Sequence, residues 1–198
     1  MMRYILRVAI AGMLVISIAP LDNSTVEASA VHRVQAGDTL WLIGKKYGVS
    51  IKDIQYKNHK SGHLLYVGER LTIPTSVTNS EKELMARLVH AEAKGEPYAG
   101  KVAVATVVLN RVKSDEFPDT ISDVIHQKVK HSYAFEPVQN GSIHQHANQE
   151  AAEAVDEAIA YDGMGNDSLY FYNPETATSK WIFSTEETLT IGKHRFAK

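Results

Sequence analysis

A run of small, uncharged residues, Pro74-Thr75-Ser76-Val77-Thr78-Asn79-Ser80, constrains this chain more than any other feature. It offers little to bury and opens on a proline, so the chain must fold as two units on either side of it. The two units differ in charge. Residues 31–75 carry seven Lys or Arg against three Asp or Glu, whereas residues 81–198 carry 12 against 18. A basic small unit beside an acidic larger one suits a module that meets an anionic surface, although solvated faces would show the same balance. The whole chain has a formal net charge of −2, which argues against a generic nucleic-acid binder. A 44% hydrophobic content with 22% charged residues excludes disorder for most of its length. There is no cysteine, so a disulfide scaffold, a thiol nucleophile and a cysteine zinc site are excluded.

The N-terminus reads as a secretory signal peptide. Arg3 and Arg7 precede an apolar run at 8–18, and Ala28-Ser29-Ala30 provides a small-x-small cleavage site before Val31. That run falls short of the roughly 17–25 residues that span a bilayer. The expected organisation is a signal peptide at 1–30, a small module at 31–75, a linker at 76–80 and a larger domain at 81–198. Export is expected, with contact to a membrane only through the signal segment if it stays uncleaved.

The small module reads as strand, helix, helix, strand. An extended stretch at 32–35 leads to the turn Gly37-Asp38-Thr39, where Thr39 can cap a helix. Leu40, Ile43 and Tyr47 then recur at helical spacing until Gly48 stops them. Ser50 and Asp53 can cap a second helix that buries Ile51 and Ile54, and residues 65–73 alternate as a returning strand. Trp41 lies inside the first helix and reads as core more readily than as a sugar platform. The segments VQAGDTLWLI at 34–43, Asn58, and VGERLTIP at 67–74 together resemble a LysM domain over the whole module. The resemblance implies binding of glycans containing N-acetylglucosamine, in a shallow groove lined by Gly37, Asp38, Thr39, Leu40 and Asn58. After Asn58, the stretch at 59–63 departs from the family's usual proline-containing turn.

In the larger domain, Ser80-Glu81-Lys82-Glu83 has capping-box form and predicts a helix over 81–94, ended by Gly95 and Pro97. With Leu84 set at zero and about 100° per residue, Leu88, Met85 and Val89 span an arc from near 40° to near 140°. Glu92 falls near 80°, inside that apolar arc. Burial disfavours a charged carboxylate, so its pKa should rise toward the range a general acid needs. A buried glutamate satisfied by a salt bridge fits the same pattern. Glu96, past the helix end, reads as solvated or capping. Residues 102–112 are apolar almost all round and predict a central helix. Shorter helices are expected at 121–127 and 149–161, an extended run at 169–173, and a last strand at 190–196.

The segment ARLVHAEAKGEPYAGKVAVA at 86–105 is similar to the signature of the bacterial cell wall hydrolase family that includes spore cortex-lytic enzymes. VVLNRV at 107–112, FPDTI at 117–121, YFYNP at 170–174 and IGKHRF at 191–196 continue the match in order. The segment at 128–135 departs from it. The resemblance implies a mostly helical, lysozyme-like domain acting on peptidoglycan, with the catalytic glutamate at Glu92. The expected fold class is therefore α+β: a βααβ LysM module followed by a helical catalytic domain with a minor β part.

Conventional glycosidases use two carboxylates roughly 5–9.5 Å apart. Asp115, Glu116, Asp119, Asp123 and Glu136 fall in turns or loops, where solvated acids are expected. A lytic transglycosylase needs only one carboxyl, and that mechanism is the favoured expectation, with no cofactor and no metal. Phe135, Tyr172, Asn173 and His194 are the candidate contacts to the glycan. One rival is a zinc amidase cutting between muramic acid and L-alanine, for which His144 and His146 are the candidates, without a third ligand at recognisable spacing. The other rival is a non-catalytic wall-binding protein. Nothing in the sequence bears on oligomeric state.

Overall fold

The computed structural model describes residues 30–163 and 167–198, so the expected signal segment lies outside the described residues except for Ala30. The small module has the expected order: strand β1 (Val31–Arg33), helices α1 (Leu40–Tyr47) and α2 (Ile51–Lys57), and strand β2 (Arg70–Thr72). The two strands pair antiparallel, with His32 opposite Leu71. Thr39 caps α1, and Gly48 ends it with φ of 68°, a left-handed conformation that costs glycine little. Ser50 caps α2 by accepting from the Asp53 N–H. Leu40, Ile43, Val49, Ile51, Ile54, Leu71 and Ile73 form its core. Half-buried Trp41 packs against that core, as expected of it. The returning strand is shorter than expected. Only Arg70–Thr72 pairs, because Gly68 turns the chain at φ of 90° and leaves Leu64, Tyr66 and Val67 exposed.

Helix α3 (Asn79–Glu92) starts within the stretch read as linker. Its cap is Thr78, with Glu81 reaching back to the Thr78 N–H, so the capping box sits two residues earlier than Ser80 implied. Both positions satisfy the sequence rule; at Thr78 the box is closed on both sides, and the preceding Val77 donates its N–H to the Gly48 carbonyl, 3.0 Å away. Helix α4 (Tyr98–Lys113) runs through the centre of the domain, as its apolar circumference requires. Then come α5 (Ile121–Ile125), a small hairpin of β3 (Lys128–Val129) and β4 (Ser132–Tyr133), α6 (Glu136–Asn140), and a 3-10 turn at Ser142–His144. Helix α7 (Gln149–Ala160) follows, then β5 (Tyr170–Tyr172), a 3-10 helix at Lys180–Ser184, and strands β6 (Glu187–Ile191) and β7 (His194–Ala197).

Met85, Leu88 and Val89 of α3, Val104 and Val108 of α4, and Val155 and Ile159 of α7 share one core. The expected last strand at 190–196 is instead a hairpin, β6 and β7, turning at Gly192 and Lys193. Strand β7 lies in the middle of an antiparallel sheet in the order β5-β7-β6, with Phe171 opposite Phe196.

The two units are packed together. Gly44 of α1 faces α7, where an added Cβ would stand in ordinary contact 3.5 Å from the Ala160 Cβ, while the module's own Val49 carbonyl oxygen, 2.7 Å away, excludes any larger residue there. Lys82 of α3 donates to the Lys45 carbonyl at 3.4 Å, and Lys52 donates to the Gly163 carbonyl. Hydrogen bonds of this kind contribute little net stability, so the packing of α1 on α7 holds this junction.

Candidate active site

Glu92 is the last residue of α3, and it opens into a cleft of about 530 Å³. The half-buried carboxyl is pushed up from 4.5 to about 7. Loss of water is the main cause, followed by the nearby carboxylate of Glu136. The Glu136 backbone N–H and the Arg111 guanidinium pull in the other direction, favouring the anion. The side chain therefore sits where it can hold a proton at neutral pH and also be stabilised after giving it up.

Arg111 comes from α4 beneath the cleft and is only 7% exposed. Its guanidinium lies 4.9 Å from the ring centroids of Phe117 and Phe135 and 5.6 Å from that of Tyr170. Its Nε donates to the Leu169 carbonyl at 2.8 Å. Burial pushes its pKa down to about 10, with Tyr170 and Glu92 opposing that shift. It stays charged at neutral pH, a fixed positive group behind the acid.

The facing wall comes from β5 and the β6–β7 hairpin. Tyr172, Asn173 and His194 all line the cleft together with Glu92. His194 is 9% exposed, packs against Phe171 at 5.3 Å, and has a buried Nδ1 without a hydrogen-bond partner. Burial lowers its pKa while Glu96 opposes this, so the ring is neutral near pH 7. Phe135 does not join these residues. It is 2% exposed and stacks on Phe171 with centroids 6.3 Å apart, under the cleft and outside its lining.

Three residues of the site lay outside the sequence expectation. Glu136 is the first residue of α6, followed by Pro137 in the helix's first turn, and it lines the cleft instead of standing in a loop. The Glu-Pro pair is a helix-start signal that could have placed it. Glu96 is only 8% exposed, which corrects its reading as a solvated residue. Its carboxylate accepts from the Lys193 N–H at 3.0 Å, tying the α3–α4 junction to the β6–β7 turn. That contact joins residues 97 positions apart, beyond the reach of any local pattern. Gly192 makes it possible: its φ is +57°, and a Cβ there would run into the Glu96 carboxylate and stand 2.8 Å from the Pro97 Cδ. Arg111 was visible only as an exception in an apolar helix.

In the small module, Asp38 accepts from the Gln35 N–H at 2.7 Å and lies 2.8 Å from the His32 Nε2. These bonds hold its carboxyl below the usual range, the Gln35 N–H most of all. Thr39 is spent on the helix cap and Leu40 is 1% exposed in the core. Gly37 sits at the turn with φ of 90°. The Asn58 amide donates to the Ile54 and Thr72 carbonyls and accepts from the Thr72 N–H, all within 2.8 Å. These five residues therefore shape the loops on either side of the expected groove. Among the described residues, no group of three or more His, Asp or Glu is gathered in a metal-binding arrangement, and His144 and His146 are exposed.

The profile of a family described as Cell Wall Hydrolase matches residues 95–197, and that of the LysM domain matches residues 32–74. A spore cortex-lytic enzyme of Bacillus cereus is 46% identical over 127 residues, 64% of this chain and 47% of that protein. One from Oceanobacillus iheyensis is 46% identical over 129 residues, 65% of this chain and 45% of that protein. The chain thus spans about half the length of these curated relatives. Among solved structures, the catalytic domain of the germination-specific lytic transglycosylase SleB from Bacillus anthracis is similar to it. The TM-score is 0.57 with 44% sequence identity, covering 64% of this chain and all of that one. The catalytic domain of Bacillus cereus SleB gives 0.56 with 45% identity, covering 63% and 94%.

Proposed function

The chain belongs to the cell wall hydrolase family, and we propose that it cuts the glycan backbone of peptidoglycan as a lytic transglycosylase, with Glu92 as its single acid and base. The observation that carries this reading is the carboxyl of Glu92, lifted to about 7 by burial at the wall of an open cleft. A general acid works best with a pKa near the operating pH.

The reaction needs one proton carried out and back. Protonated Glu92 donates to the oxygen joining N-acetylmuramic acid to N-acetylglucosamine, and the glycosidic bond breaks as positive charge develops on the muramic ring. The Glu92 carboxylate, supported by Arg111 and the Glu136 N–H, then accepts the proton of the same sugar's C6 hydroxyl. That oxygen closes onto C1, giving a 1,6-anhydro end, and no water is consumed. Neutral His194, Tyr172 and Asn173 offer hydrogen bonds and ring faces to the sugars beside the scissile bond.

The LysM module, expected to bind N-acetylglucosamine-containing glycan, tethers the catalytic domain to its insoluble substrate and raises effective concentration. Export through the segment at 1–30 would place the protein at the wall. The spore cortex is the substrate form that the names of its relatives suggest.

A second reading has one observation in its favour. Glu136 lines the same cleft as Glu92, so it could act as the second carboxylate of a conventional hydrolase. Rates on purified peptidoglycan separate the two. The transglycosylase reading expects Glu92→Gln to abolish cleavage and Glu136→Gln to leave most of it. Loss of activity in both variants, with water-derived reducing ends from the wild type, would replace it with the two-carboxylate reading.

A further inference from the structure

Trp181 and Phe183 are 54% and 50% exposed, although both sit on a short helix whose middle residue, Ile182, is 7% exposed and anchors it to the domain. Large aromatic side chains held outward by an anchored element call for an explanation beyond packing. Each is set against a tyrosine of β5. The Phe183 ring lies 5.4 Å from Tyr172 at 86°, and the Trp181 ring lies 5.1 Å from Tyr170 at 82°.

Tyr170 and Tyr172 are two positions apart on one strand and share a face, which spaces the two aromatic pairs about 7 Å apart along β5. In each perpendicular pair, the ring that presents its edge keeps its own faces uncovered by its partner. The series is continuous with the cleft, because Tyr172 lines it beside Glu92. Thr176, on the loop leading into the 3-10 helix, lines it too.

We propose that Trp181 and Phe183 extend the catalytic cleft as an aromatic platform for a glycan strand, stacking on sugars beyond those that flank the scissile bond. The ligand class is an N-acetylated pyranose chain, whose apolar C–H faces match the half-exposed Trp181 and Phe183 rings. This rests on the glycan-cleaving reading above and adds to it a length requirement: long strands gain binding that short ones cannot reach. Truncating these half-exposed rings leaves the Ile182 anchor and the core intact.

The test uses the full chain and peptide-free glycan strands from purified peptidoglycan, sized into tetrasaccharides and long strands. Initial rates give kcat and KM for the wild type, Trp181→Ala, Phe183→Ala, the double variant and the ring-retaining Phe183→Tyr. On long strands, the double variant should raise KM about tenfold, with kcat little changed. On tetrasaccharides all proteins should coincide, and Phe183→Tyr should behave as wild type on both. Equal KM for wild type and double variant on long strands overturns the platform while leaving the cleavage reading intact. An equal rise in KM on both lengths also overturns it, since the rings would then belong to the cleft itself. So does a wild-type chain that self-associates and becomes monomeric in Trp181→Ala, because the face would then meet a second copy. A wild type that cuts no strand of either length overturns the proposed function and the platform together.

Discussion

The Glu92 carboxyl makes a quantitative demand on stability. In an unfolded chain it ionises near 4.5, and in the folded protein at about 7, mainly because burial strips its water and Glu136 repels its charge. The folded state therefore holds this proton more tightly than the unfolded state. Its contribution to stability is full below pH 4.5 and is lost as pH rises through 7, because between these values the unfolded chain releases the proton first. At 1.36 kcal/mol per pH unit, the loss amounts to about 3 kcal/mol. Glu92→Gln keeps the shape and cannot ionise. Denaturant unfolding of both proteins from pH 4 to pH 8.5 should show a small difference at pH 4 and a growing advantage for the variant. That advantage should reach about 3 kcal/mol by pH 8. A constant difference across the range would mean that Glu92 ionises at its ordinary value, and the argument for a neutral general acid would fail. Wild-type cleavage should fall above pH 7 as the same proton is lost.

Three further perturbations probe the frame around that acid. Gly192→Ala meets both a positive φ and the Glu96 carboxylate, so it should destabilise by about 1–3 kcal/mol and lower kcat by displacing His194; thermal unfolding and initial rates check both. Phe135→Ala should cost about 3–5 kcal/mol in denaturant unfolding, because the residue is fully packed between Phe171 and Arg111. Asn58→Ala removes two hydrogen bonds that join the end of α2 to Thr72 of β2 and a third to the Ile54 carbonyl of α2, so the LysM module should lose about 2–3 kcal/mol. Pull-down on insoluble peptidoglycan, followed with temperature, should then show binding lost at a lower temperature than in the wild type.

Local patterns carried much of this molecule. The Thr39 and Ser50 caps, the Gly48 stop and the spacing of Leu40, Ile43, Ile51 and Ile54 are all short-range signals, and they gave the small module its helices. The angular position of Glu92 among Leu88, Met85 and Val89 was equally local, and it singled out a residue that the fold sets at the cleft wall. What stayed hidden depends on distant partners. Glu96 looked solvated because its hydrogen-bond donor is the Lys193 N–H. Phe135 looked like a sugar contact because no sequence pattern distinguishes a ring lining a cleft from one that supports it from below. The β6–β7 hairpin read as one strand because Glu187–Ile191 and His194–Ala197 are too short and too polar for two separate strand patterns to stand out around the two-residue turn Gly192-Lys193.

The central claim is that one carboxyl, at Glu92, cuts the glycan without water. Mass spectrometry of the muropeptides released from purified peptidoglycan by residues 31–198, run beside Glu92→Gln, tests it most directly. The account predicts 1,6-anhydromuramyl products from the wild type and none from the variant. Ordinary reducing ends, or free L-alanine amines released equally by both proteins, would contradict it.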